Sequence, residues 1–179
     1  MSNILLDKGV IRKLIEALVN ASLEVQLTSE QEQVSNVFRH IVLNDVPFIT
    51  IETHNILRTK FIHLPFYDLL SELINIIIPV RYTRRWARRL RFFGFSREDA
   101  WQIAMATFCS DKIIEGRLVQ IDKFLTLDKR LAVRFSSNFS EIKNRFAKMI
   151  SQLHLPFASS QLPQVFTIEE CYLNLDNNL

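Results

Sequence analysis

Four short apolar runs, each closed by a polar residue and separated by helix-length amphipathic stretches, constrain this chain more than any other feature. They are Asn3 to Leu6, Val46 to Thr50, Lys123 to Leu127 and Val165 to Thr167. Runs this short suit strands buried on both faces rather than helices. Between them, Val10, Ile11, Leu14, Ile15 and Leu18 repeat at helical spacing. Ser29 and Glu32 form a capping-box pattern that predicts a second helix to about Leu43, broken at Asn44-Asp45. Glu52 to Phe61 reads as a helix, and Pro65 opens another from Phe66 to about Ile77, stopped by Pro79. The run Ile76-Ile77-Ile78 also suits a buried strand or a helix end. Thr83 to Phe93 is a basic helix stopped by Gly94, and Ser96 starts the next, to about Ser110. Residues 111 to 122 are ambiguous. One or two helices fill Arg130 to Leu153, a loop spans Pro156 to Pro163, and Ile168 to Leu173 is a last helical turn. Strands alternating with longer helices predict an α/β fold with a mostly parallel sheet. Ligands of such sheets gather outside the carboxyl ends of the strands.

Composition narrows the function classes. At 179 residues, 48% hydrophobic and 23% charged, the chain can bury the core of a single domain. Its three glycines, Gly9, Gly94 and Gly116, lie too far apart for a phosphate-cradling loop or a dinucleotide fingerprint. Cys109 and Cys171, with four scattered histidines, make no zinc spacing. Cys109 is expected in the core of a helix, and His54 and His63 in surface or packing roles. The N-terminus has no signal-peptide layout, and no apolar stretch is long enough to span a membrane. A cytoplasmic protein with reduced thiols is therefore expected.

Charge is concentrated. The formal net charge is +3, yet Arg81 to Arg97 holds seven arginines before any acid appears. One basic segment on an otherwise slightly acidic chain points to an anionic partner. On Thr83 to Phe93 the apolar residues Trp86, Leu90 and Phe93 form the expected core stripe. Arg84, Arg85, Arg88, Arg89 and Arg91 occupy mostly the other faces. Arginine suits bidentate phosphate contact, so these five are candidate RNA contacts. A solvated helix face, or a patch for an acidic protein, is the alternative. Phe92 and Phe95, beside the arginines, are expected to be buried rather than stacked on bases.

Acids recur at the strand ends. Asp7 follows the first strand, Glu52 lies just past the second, and Asp128 follows Phe124-Leu125-Thr126-Leu127. Asp99 opens a helix after Gly94-Phe95-Ser96. Each has a purely local explanation, because Asp7 and Asp128 suit N-caps and Asp99 suits a capping box. Glu52 would face the positive end of its helix dipole. As a set, they fall where an open sheet places its site. Clustered carboxylates select hard divalent cations, Mg²⁺ or Mn²⁺, over zinc.

The run Gly94-Phe95-Ser96-Arg97-Glu98-Asp99-Ala100-Trp101-Gln102-Ile103-Ala104-Met105-Ala106 resembles the helix signature of PIN-domain ribonucleases. Phe124 to Leu131 resembles their later strand, with its Thr-x-Asp end, and Ile4-Leu5-Leu6-Asp7 their first strand and aspartate. Val165 to Glu170 resembles their closing strand and turn. Order and spacing match over nearly the whole chain. The resemblance implies a single PIN-like domain over residues 1–179, with an insertion near 111–122, folded as a three-layer α/β/α sandwich with a mostly parallel central sheet. It implies a metal-dependent endoribonuclease using Mg²⁺ or Mn²⁺, with Asp7, Asp99 and Asp128 as metal ligands and Thr126 hydrogen-bonded within the site. The family's further glutamate falls at about Asn55 or Ile56 here, so either Glu52 or Asn55 completes the site. The implied partners are an RNA substrate, an antitoxin if the protein is the toxin of such a pair, another protein, or a second copy in a homodimer; no membrane contact is expected. The alternative is a catalytically weakened PIN-like module that binds RNA or protein.

Overall fold

In the computed structural model, which describes residues 1–114 and 116–176, the four apolar runs pair into one sheet. They become β1 (Asn3–Leu6), β2 (Val46–Thr50), β6 (Lys123–Thr126) and β7 (Gln164–Thr167). Three more strands join them among the described residues: β3 (Asn75–Pro79), β4 (Cys109–Asp111) and β5 (Leu118–Val119). The order across the sheet is β5-β4-β3-β2-β1-β6-β7. Neighbours from β3 through to β7 run parallel, while β4 is antiparallel to both β3 and β5. The sheet is therefore mostly parallel, with an antiparallel edge formed partly by the stretch that the sequence leaves ambiguous.

Each strand sends alternate side chains to opposite faces, as the pleat requires. From β1, Ile4 and Leu6 enter one core and Leu5 the other; from β6, Leu125 and Phe124 divide in the same way. The first core holds α1 (Lys8–Ser22), α2 (Ser29–Asn44), α3 (Ile51–Phe61), α4 (Tyr67–Leu73) and α9 (Ile168–Asp176). The second holds α5 (Thr83–Leu90), α6 (Arg97–Thr107), α7 (Lys129–Ser137) and α8 (Phe139–Ile150). Helices thus cover both faces of the sheet, giving three layers. No helix among the described residues is long and apolar enough to cross a membrane.

Several local expectations differ from the structure. The capping box of α2 is built by Thr28 and Gln31, one residue before the Ser29–Glu32 pattern, with Gln31 Oε1 accepting from the Thr28 N–H at 2.9 Å. The helix expected to reach Ile77 ends at Leu73, and Asn75–Pro79 is β3, whose Ile77 is wholly buried. The helix expected to reach Ser110 ends at Thr107. Cys109 is buried as expected, but on β4 rather than on a helix. Burial pushes its thiol up to about 12, against a bond to the Val119 carbonyl, so it stays protonated at neutral pH. Arg91–Phe93 forms a 3₁₀ turn ending at Gly94, whose φ of 80° requires the freedom of glycine. The last helix runs on to Asp176.

The topology creates one crevice. β1 lies between β2 and β6, and the chain leaves these two neighbours toward opposite faces, β1 into α1 and β6 into α7. Diverging connections leave the carboxyl ends of β1 and β6 uncovered, which is the switch point where open α/β sheets bind ligands.

Candidate functional site: an acidic cleft beside an arginine groove

Asp7 ends β1 at this crevice. Its backbone N–H continues the ladder to the Leu125 carbonyl at 2.9 Å. It stands at the N-cap of α1, yet its carboxylate makes no capping bond. Instead Oδ2 accepts the Thr126 hydroxyl at 3.0 Å. Burial pushes the Asp7 carboxyl above its ordinary 3.8, opposed by the Thr126 hydroxyl and by Lys8, and Glu98 adds to the rise. A group whose charged form is disfavoured in this way is one that a bound cation would stabilise.

Asp128 ends the loop after β6. Its backbone N–H donates to Thr126 Oγ1 at 3.0 Å, so one hydroxyl links the Asp7 carboxylate to the Asp128 backbone. Asp128 does cap its helix: Oδ1 accepts the N–H groups of Arg130 at 2.8 Å and Leu131 at 3.1 Å. That leaves Oδ2 as the oxygen free for other work. Asp99 lies in the first turn of α6, where its N–H donates to the Ser96 hydroxyl at 3.0 Å. Its side chain takes no part in that cap. The elements are held in register by Arg134 of α7, whose Nη1 donates to the Gly94 carbonyl at 2.7 Å.

These three acids line a single cleft of about 430 Å³. Its other walls include Lys8, Arg12 and Glu98, with Gln102 from α6 and Thr53, Ile56 and Lys60 from α3. Glu52 and Asn55 are not among the lining residues. Glu52 is exposed and accepts the Trp101 indole N–H at 3.1 Å. Asn55 is exposed on α3, and its neighbour, the apolar Ile56, lines the cleft instead, with Thr53 and Lys60.

The carboxylates suit Mg²⁺ or Mn²⁺ in kind, because such ions take oxygen donors and often only one or two carboxylates, keeping several waters. Among the described residues, no three His, Cys, Asp or Glu side chains are grouped so as to hold one ion. A cation here would therefore have to be held by one or two carboxylates, with waters completing its shell.

A second concavity adjoins the first. About 810 Å³ in volume, it is lined by Arg84, Ala87, Arg88 and Arg91, with Arg97, Glu98 and Trp101 from the next helix. Glu98 lines both spaces and pairs with Lys8 across them. Among the described residues, none of these four arginines forms an ion pair. Arg85 and Arg89 do not line the groove. Arg89 lies near Arg85 and Arg145, and burial followed by those two charges pushes its guanidinium below the usual range. Phe95 is buried as expected, but Phe92 is 84% exposed.

Sequence reasoning missed Lys8, Arg12, Lys60 and Gln102 in the cleft, and Arg97 and Trp101 in the groove. Gln102 carried a signal, lying three residues after Asp99 on a helix already read as the site's. Comparison with protein-family models, with curated proteins and with solved structures gives no match.

Proposed function

We propose that this protein is a PIN-like endoribonuclease that cuts RNA at the acidic cleft with Mg²⁺ or Mn²⁺. The carrying observation is that Asp7, Asp99 and Asp128, from three separate elements, line one cleft at the switch point, beside a groove whose four arginines form no ion pair among the described residues. A bound ion at these carboxylates supplies an activated water and offsets the charge that builds on the phosphate. The protein's own residues do the positioning. Thr126 fixes the Asp7 carboxylate, and the capping of α7 through Oδ1 fixes the orientation of Asp128. Arg84, Arg88, Arg91 and Arg97 neutralise successive backbone phosphates and lead the strand toward the cleft. The Lys8–Glu98 pair sits at the junction of the two spaces.

Asp7→Asn and Asp128→Asn are expected to reduce cleavage of single-stranded RNA to background. Both keep the fold, since asparagine still accepts from Thr126 and still caps a helix. Cleavage by either purified variant at the wild-type rate, with Mg²⁺ or Mn²⁺ present, counts decisively against the proposal.

A second reading, RNA binding without cutting, is favoured by Ile56, which puts an apolar side chain on the wall where a further acid is expected. Manganese titrated with and without an RNA substrate separates the two: binding of RNA that is insensitive to the metal, with no cleavage, selects the second.

A further inference from the structure

The arginine groove has two unlike walls. One is α5 with the turn after it, which contributes Arg84, Arg88 and Arg91 around Ala87. The other is α6, where Arg97, Glu98 and Trp101 share one side of the helix. Trp101 is the single aromatic among the described residues that line this space of about 810 Å³. It is half-buried, packed in part against the core beneath α5 and α6. Its indole N–H donates to Glu52 Oε1 at 3.1 Å, and Glu52 is not one of the groove's walls. The only polar atom of the side chain is thus engaged elsewhere, and what the groove meets is aromatic carbon.

Charge sorts what each wall can take. A phosphate is drawn to the α5 arginines, which form no ion pair among the described residues. Past Arg97, α6 offers the Glu98 carboxylate, and Glu52 sits at the Trp101 ring, so a phosphate is disfavoured there. The group that suits this wall is uncharged and flat, with apolar faces. A nucleobase is such a group, and its faces stack on aromatic rings.

We propose that Trp101 is a base-stacking residue, receiving an unpaired RNA base while the α5 arginines hold the adjoining phosphates. The inference rests on the reading of the groove as an RNA track and needs no metal ion. It orders the strand across the groove, backbone on α5 and bases on α6. It also makes Trp101 selective, because the bases of a duplex are stacked on one another and have no face to offer.

The test is RNA binding in EDTA, with a mixed-sequence single-stranded oligoribonucleotide and the same strand annealed to its complement. The chain has two tryptophans and Trp86 is wholly buried, so quenching of intrinsic fluorescence by the single strand reports Trp101. Such quenching is expected at saturation. Trp101→Leu should lower single-strand affinity roughly 5- to 150-fold. The log–log salt slope should not change, because a stack releases no counterions. Trp101→Phe, which keeps a ring, should retain most of the affinity, and duplex binding should be the same for all three proteins. If Trp101→Leu melts and binds the single strand as the wild type does, while Arg88→Ala flattens the slope, the stack is refuted and the RNA groove stands. Should Trp101→Leu fail to fold, saturation of the wild type without quenching refutes the stack by itself. If Trp101→Phe loses as much affinity as Trp101→Leu, the bond to Glu52 carries the effect and the proposal falls. If the wild type binds neither RNA, the groove reading and this inference fall together.

Discussion

Asp7 shows how a single carboxyl group betrays its use. Its carboxylate lies against the first turn of α1, near the Lys8 backbone and Gly9, yet makes no capping bond there. Here the carboxylate turns to Thr126 and is held where burial raises its proton affinity. The folded chain thus holds this proton more tightly than the unfolded chain. Charging Asp7 opposes folding fully at pH values above its raised value, and the opposition is gone below the ordinary 3.8. Asp7→Asn should therefore melt higher than the wild type at pH 7 without divalent cations, and the gain should vanish as the pH falls below about 4. Thermal melts over that range check it; a variant that is less stable at pH 7 contradicts the burial argument. Capping and ligation were indistinguishable in the sequence for Asp7 and Asp128, because the residue that ends a strand here is also the residue that starts a helix. The structure separates them: Asp128 caps and Asp7 does not. Phe92 escaped the sequence reading for a steric reason. Phe92, Phe93 and Phe95 surround a 3₁₀ turn and a left-handed glycine, and such a turn cannot direct all three rings inward.

At the scale of the element, α5 and the turn after it divide their arginines between two faces. Arg84, Arg88 and Arg91 follow one another at i, i+4 and i+7 and line the groove, whereas Arg85 and Arg89 lie outside it. The charge was legible in the sequence. The division was latent in the spacing but could not be assigned without knowing which neighbour each face meets. RNA affinity measured against salt in EDTA should reveal it. Each of Arg84→Ala, Arg88→Ala and Arg91→Ala should flatten the log–log slope by about 0.7. Arg85→Ala and Arg89→Ala should leave it unchanged. Equal effects at all five positions would mean diffuse attraction rather than a tracked backbone.

Across the whole molecule, the strands flanking the switch point were the most legible, because β1, β2 and β6 are short apolar runs with sharp polar ends. β3 was obscured since Ile74 to Ile78 follows a short helix without a glycine or proline break, and the apolar run Ile76-Ile77-Ile78 fits a buried strand and a helix end alike. β4 and β5 were missed because strands of three and two residues carry too little pattern to read. The meeting of Asp7 and Asp128 was legible as a rule about strand ends, whereas the same rule also selected Glu52, which lies outside the cleft, and Asp99 enters it from the first turn of α6. The walls were not, because Gln102, Ile56 and Lys60 reach the cleft only through the packing of α3 and α6 around it. The most direct measurement of the central claim is the anomalous signal of manganese in a crystal of the wild-type chain. The account predicts a peak in the cleft with carboxylate oxygens of Asp7 or Asp128 at roughly 2.0–2.3 Å. A crystal that takes up manganese only elsewhere on the surface, leaving these carboxylates without an ion, would contradict it.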